Sequence, residues 1–473
     1  MQKVIRYGLL ILVFFGVQSL TVLEAVTLDS KEDRPNIVFI LIDDLGWMDL
    51  EYQGSEIYKT PEIDKLAEQS LDFQQAYAPH PRCVPSRYGM MTGIFPARSK
   101  VPAENFDLLP EDKTFAHKLS NNGYRTGYIG KWHLGSEELG PAGKGFDVSI
   151  AAGEAGSPIN YFFPYNDTSE KPWKEGKDPI PDLEEGEEGE YLNDRLTDEA
   201  IGFIEENQSR PFFLMLSHYA VHQPLEAPDS LRKKFKKVIA NHDFGSLPEY
   251  ILEGTGKTKM RQDNPTYAAM IKNLDWNIGR LLDRLQSLGL DENTIIVFTS
   301  DHGGLSNQGT RNRNLATSNF PLRAGKGWLY EGGVRVPLLV KWPGVTKPGV
   351  NEEAIISGVD YYPTFLDMAL GESPDKEVDG QSFVNILQGE KQGDRGPIFW
   401  HTPRARPKGT GDTNSSAVRL GDYKLIHWFD RDEVQLYNVV KDIKERNDLS
   451  KKIPQKTEEL MKVLSDWKNE WSD

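Results

Sequence analysis

Three unbroken apolar runs, each opening into an acidic or histidine-bearing loop, constrain this chain more than any other feature. They are "NIVFILIDD" from Asn36, "PFFLMLSHYA" from Pro211 and "TIIVFTSDHGG" from Thr294. A short apolar run without alternation reads as a strand covered on both faces, because an exposed face would need a polar residue at every second position. Long helices lie between the runs. In the clearest, Thr266 to Leu288, one apolar face carries Tyr267, Met270, Ile271, Leu274, Ile278, Leu281, Leu285 and Leu288. This alternation predicts an α/β architecture, a large mostly parallel sheet with helices on both faces. Ligands in such sheets collect at the carboxyl ends of the strands. That is where Asp43, Asp44, His218, His222, Asp301 and His302 fall.

The chain has 473 residues, 38% of them hydrophobic, enough for one large domain and a smaller one. Lys and Arg number 55 against 71 Asp and Glu, a net charge of −16, which argues against nucleic-acid binding through a global positive field. An anionic substrate then needs a locally basic pocket. The stretches "NDTSEKPWKEGKDPIPD" and "DLEEGEEGEYLND" read as solvated loops or an insertion. The pattern changes near Gly380 to Gly396. Beyond it, "SSAVRLGDYKLIHWF" with its Gly-Asp turn, "VQLYNVV" and an amphipathic helix from about Pro454 predict a small antiparallel sheet closed by one helix. The expected division is a main domain over 26–385 and a small α+β subdomain over 386–473. No internal repeat is visible.

Residues 1–25 read as a secretory signal: Lys3 and Arg6 precede the apolar run "YGLLILVFFGVQSL", and Ala25 offers a small residue for cleavage. The run is shorter than the roughly 20 residues needed to span a bilayer. The expectation is an exported protein, periplasmic or extracellular, with no membrane span after cleavage. Exported proteins pair their cysteines or lack them, yet this chain keeps one, Cys83, in "HPRCVPSRYGMMTG". Pro85 suits the first turn of a helix, so Cys83 sits at or just before a helix N-terminus, where backbone N–H groups favour negative charge. Arg87 lies one turn on and points back toward it. The setting activates a thiol.

"CVPSRYGMMTG" resembles the first signature of the type I sulfatases, Cys-x-Pro-Ser-Arg with a Thr-Gly ending. Two more segments match in order: "GYRTGYIGKWHLG", with Lys131 and His133, and "PLRAGKGWLYEGGVRVP", with Lys326. The resemblance runs from Arg34 to the terminal helix and implies the alkaline phosphatase-like fold and a bacterial carbohydrate sulfatase. It implies that a formylglycine-generating maturation enzyme oxidises Cys83, the hydrated aldehyde being the nucleophile. Asp43, Asp44, Asp301 and His302 would hold one divalent cation, which also contacts residue 83 and a sulfate oxygen. Carboxylate oxygens suit calcium. His302 stands where many relatives carry asparagine, and a softer imidazole leaves calcium and other divalent ions open. Arg87 and Lys131 would orient the nucleophile and neutralise sulfate. His133 would take a proton from the second hydroxyl of the sulfated intermediate, while Lys326 and His222 hold sulfate and protonate the leaving alcohol. His218 reads as a core neighbour. These residue types answer the chemistry, since cleaving a sulfate monoester needs a nucleophile, cations around the nonbridging oxygens and an acid for the leaving group.

Substrate discrimination falls to residues around the pocket mouth. Candidates are His80 and Arg82 in "HPRC", Arg311 and Arg313 in "NQGTRNRN", and His401, Arg404 and Arg406 in "IFWHTPRARPKG". Each alone reads as a solvated loop residue. Together they place positive charge in an acidic chain, which suits a sulfated oligosaccharide. A formylglycine phosphonate or phosphate monoester hydrolase is the catalytic alternative, because one fold hosts several chemistries. A non-catalytic sulfoglycan-binding protein leaves the intact catalytic positions unexplained.

Overall fold

The computed structural model describes residues 34–99, 108–171, 174, 176–374 and 376–471. The signal expected over residues 1–25 lies outside them. The three apolar runs form adjacent strands. Asn36–Ile42 lies between Phe212–Ser217 and Thr294–Ser300 and is parallel to both, with Ile40 opposite Leu216 on one side and Phe298 on the other. Arg125–Gly130 and then Val148–Ile150 extend the parallel set beyond Phe212–Ser217. At the opposite edge Leu338–Lys341 runs antiparallel to Thr294–Ser300, and Leu71–Tyr77 runs antiparallel to Leu338–Lys341. Two reversals leave Leu71–Tyr77 pointing the same way as the parallel set. Arg335–Val336 and Gly349–Ser357 also pair with Leu71–Tyr77.

Both faces of this sheet are covered. Val38, Ile40 and Ile42 enter one apolar cluster, and Ile37, Phe39 and Leu41 enter the other, as the two-residue period of a strand requires. Helices Leu192–Asn207 and Pro265–Ser287 pack in the first cluster, and Phe115–Asn121 and Tyr361–Leu370 in the second. The helix expected from Thr266 starts one residue earlier. Asn264 caps it by accepting from the Thr266 and Tyr267 N–H groups at 3.0 and 3.2 Å, and proline suits the first turn. The expected solvated insertion needs correction. Glu184 to Gly189 is exposed, but Ile180 and Leu183 are 1% and 2% exposed and belong to the first apolar cluster. The charge run hid these two apolar anchors.

Past Gly396, the strands Ile398–Thr402, Ser415–Leu420, Tyr423–Trp428 and Glu433–Asn438 form an antiparallel sheet, with helix Pro454–Asn469 packed on it. Gly421, at φ +57°, makes the two-residue turn between the second and third strands. The large and small sheets meet through a buried charge cluster. Lys424 Nζ lies 2.7 Å from Glu331 Oε1 and 2.8 Å from Glu445 Oε1, with all three side chains fully buried. Burial raises Glu445 to about 7 against the pull of Lys424. Glu331 is held at about 2, because Lys424 and Arg335 outweigh its own burial. Lys424→Met strands two buried carboxylates and is expected to cost about 3–5 kcal/mol. Denaturant unfolding of the variant reads this directly, and a loss below about 1 kcal/mol would show the cluster to be solvated.

Candidate active site

Because the strands share a direction, their carboxyl ends meet at one edge of the sheet. Asp43 and Asp44 follow Ile42, Lys131 and His133 follow Gly130, His218 and His222 follow Ser217, and Asp301 and His302 follow Ser300. The chain after Leu71–Tyr77 delivers helix Cys83–Thr92 to the same edge, with Cys83 as its first residue. Asp44 and His133 hold positive φ values of 62° and 60°, an unfavourable backbone state that aims both side chains into the site.

Cys83 Sγ lies 3.2 Å from His302 Nε2, 3.5 Å from Lys326 Nζ and 3.6 Å from Asp43 Oδ1. Each carboxylate has a cationic partner. Lys131 Nζ donates to Asp43 Oδ2 at 2.6 Å, Lys326 Nζ to Asp44 Oδ1 at 2.6 Å, and Arg87 Nε to Asp301 Oδ2 at 3.0 Å. Arg87 Nη1 also donates to Lys131 O and Ser217 Oγ at 2.7 and 2.8 Å, while Nη2 is buried without a partner. Ser217 was not singled out from sequence, although its place as the last residue of a strand was the signal available. His302 Nδ1 donates to Gly303 O at 3.0 Å, leaving Nε2 facing Cys83, Asp44 and Asp301.

Burial alone would raise the Cys83 thiol, but Lys131, Lys326 and His302 hold it well below its ordinary value. Burial raises Asp43 despite Lys131, whereas Lys326, His222 and His302 overcome burial and hold Asp44 at about 2. His222 drops to about 3 through burial and Lys326. Its Nδ1 donates to Gln223 O at 2.7 Å, so the neutral ring presents an accepting Nε2, 3.8 Å from Asp44 Oδ2. Lys326 stays charged, because Asp44 outweighs burial. Neither ring nitrogen of the buried His218 has a hydrogen-bond partner, and burial lowers it to about 3, as for a neutral core histidine.

The ligand atoms of Asp43, Cys83, Asp301 and His302 lie within 4.8 Å of one another, as do those of Asp43, Asp44, Cys83 and His222. Each group, two carboxylates, an imidazole and residue 83, fits a divalent cation, with the expected ligands Asp44 and His302 in different groups, and Lys131 and Lys326 each engage one oxygen of a carboxylate, leaving a second. Above the site opens a cavity of about 580 Å³, lined by His80, Arg82, Cys83, His133, Gly156, Ser157, His222, Lys326, Thr402, Arg404 and Arg406. Gly156 is required there, since a Cβ would fall 2.4 Å from His133 Cε1.

The mouth residues divide. Arg404 and Arg406 line the cavity. Arg313 is partly buried and does not line it, with Asp44, Arg311 and Arg406 among the charges acting on it, and Arg311 is exposed. Arg82 lines the cavity, but its guanidinium is bound by Asp412 at 2.5 Å. His401 faces away. It meets Ser416 Oγ at 2.7 Å and packs on the Phe429 and Trp471 rings, because adjacent strand residues point to opposite faces and Thr402 takes the cavity side. His401 is therefore withdrawn as a substrate contact.

Residues 35–372 match the family model described as Sulfatase. The chain belongs to the sulfatase family. Residues 324–470 match a second model, described as N-sulphoglucosamine sulphohydrolase, C-terminal. The chain is similar to a sulfatase of Formosa agariphila, 29% identical over 99% of this chain and 93% of the relative. It is also similar to an N-acetylgalactosamine-6-O-sulfatase of Bacteroides thetaiotaomicron, 28% identical over 92% and 93%. Among solved structures, Ps i-CgsB in complex with k-i-k-neocarrahexaose shares 30% identity and a TM-score of 0.75, covering 92% of this chain and 93% of that one. This sulfatase hydrolyses sulfuric esters. In its unmodified form, Cys83 is expected to alkylate with a pH midpoint well below that of an ordinary thiol, and Lys326→Met should move the midpoint up. Iodoacetamide kinetics on chelated protein measure both, and an ordinary midpoint would contradict the charge balance described.

Proposed function

We propose that this sulfatase is an exported enzyme that removes sulfate from a sulfated oligosaccharide, using formylglycine at position 83 and a bound calcium ion. The observation that carries this reading is Cys83 at the floor of a cavity of about 580 Å³ whose mouth holds Arg404 and Arg406. That volume suits a small glycan, and guanidinium forks suit sulfate and carboxylate groups. The sugar-bound neighbour and the B. thetaiotaomicron relative support a carbohydrate substrate.

Converted to the hydrated aldehyde, residue 83 would supply the attacking oxygen and return to aldehyde when sulfate leaves, and Asp43, Asp44, Asp301 and His302 would hold a cation that would supply Lewis acidity. The chain's own residues do the rest. Arg87 and Lys131 hold the nucleophile's surroundings positive, and Arg87 Nη2 is an uncommitted buried donor. Lys326 is the charged donor beside the leaving oxygen, since His222 is neutral with its proton on Nδ1. His133, lowered by burial, is a neutral base for the proton that must leave residue 83 when sulfate departs.

Peptide mass spectrometry of protein from a host with the maturation enzyme is expected to show an aldehyde at position 83, with the sulfur replaced by oxygen and two hydrogens lost. Chelation should abolish turnover and calcium should restore it. Fully active protein with a free thiol, or full activity without bound metal, would refute the corresponding half.

A sulfated oligosaccharide should be preferred over 4-nitrophenyl sulfate. Arg404→Ala should weaken the oligosaccharide by about 1–3 kcal/mol, with a far smaller effect on the aryl ester. Sulfate release from carrageenan and chondroitin sulfate oligosaccharides tests this, and equal losses on both substrate types would place Arg404 outside glycan recognition.

A further inference from the structure

Arg82 and Asp412 come from different domains and meet beside the nucleophile. Arg82 is the N-cap residue of the Cys83 helix, in an extended conformation at φ −144° and ψ 153°. Its Nη2 lies 2.5 Å from Asp412 Oδ2 and 3.4 Å from Thr410 Oγ1, and its Nη1 donates to Arg404 O at 3.2 Å. Asp412, 1% exposed, has both oxygens engaged: Oδ2 also accepts from the Arg406 N–H at 3.2 Å, and Oδ1 accepts from the Thr410 hydroxyl.

The turn that carries Lys326 is held at the same point. Gly327 N donates to Pro81 O at 2.8 Å, and Trp328 Nε1 donates to Thr410 O at 2.9 Å. Gly327 sits at φ +94°, and a Cβ there would fall 2.8 Å from Thr410 Oγ1 and 3.1 Å from Asp412 Oδ1. Three elements therefore converge on one carboxylate: the helix that presents residue 83, the turn that presents Lys326, and the loop that presents Arg404 and Arg406.

We infer that Asp412 is a positioning residue, which sets where the Arg404 and Arg406 guanidiniums stand relative to residue 83 and so selects for glycan over small ester. The inference rests on the carbohydrate reading above. The small domain has no covalent link to the nucleophile helix other than the intervening chain, so the separation between sulfate site and mouth depends on noncovalent ties such as this one. An aryl sulfate occupies only the floor. A sulfated sugar must also meet the mouth, where a shift of about 1 Å costs up to about a hundredfold. Arg82, spent on Asp412, acts through this tie and not as a direct glycan contact.

The test compares Asp412→Asn, Arg82→Gln and the double variant with wild type on 4-nitrophenyl sulfate and on a sulfated tetrasaccharide. Asp412→Asn keeps the shape and removes the charge. It should raise the tetrasaccharide KM about tenfold or more with kcat changed less than about threefold, and raise the aryl-ester KM much less. The double variant should lose little beyond Asp412→Asn alone, because both changes cut the same tie. Proportional losses on both substrates, tracking a lowered Tm, would overturn the inference and leave the carbohydrate reading intact. Strict additivity of the two single changes would overturn it as well. A wild-type enzyme with no preference for the tetrasaccharide would overturn the carbohydrate reading, and this inference with it. Should Asp412→Asn fail to fold, Arg82→Gln alone carries the same KM-against-kcat comparison.

Discussion

Asp43, Asp44 and Asp301 lie fully buried around one thiol, and that crowding is the constraint to which the rest of the structure answers. Three carboxylates this close repel one another and shed their hydration, so the fold must bring compensating charge to the same point. It brings Lys131 from one strand end, Lys326 from a glycine-rich turn and Arg87 from the Cys83 helix, one cation for each acid. The balance of these charges keeps the Cys83 thiol low, and the same cations are those a sulfate group needs.

Lys326 ties this balance to the small C-terminal sheet. Its turn packs without side chains at Gly325, where a Cβ would sit 2.4 Å from Gly304 O, so the lysine reaches Asp44 from a backbone that lies directly against the loop after His302. The next residues, Trp328 and Tyr330, belong to the apolar cluster shared with the small sheet, and Glu331 joins Lys424 and Glu445 beneath it. The C-terminal sheet therefore helps to place the lysine that meets Asp44 and Cys83.

The sheet, its strand ends and the residues around Cys83 were legible because continuous apolar runs have one physical solution, burial on both faces, and parallel strands put their ends together. The family signatures named the same residues. The mouth was legible only as charge. Arg404 and His401 stand three residues apart in one basic segment, yet one lines the cavity and the other packs on Trp471, since strand alternation and the local partner decide where each points. Arg82 lines the cavity, but sequence could not show that its guanidinium is held by a carboxylate 330 positions away. Ile180 and Leu183 were hidden by the charges around them.

By itself the sequence determined the α/β architecture, the convergence of acids and histidines at one sheet edge, and the one cysteine at a helix N-terminus, because each follows from periodicity or from a short local motif. Which cation meets which acid, which histidine nitrogen stays open, and which arginines reach the cavity were decided only by tertiary structure. Those choices depend on contacts between residues such as Lys131 and Asp43, 88 apart, and Lys326 and Asp44, 282 apart, whose burial removes the water that would otherwise make any pairing equivalent.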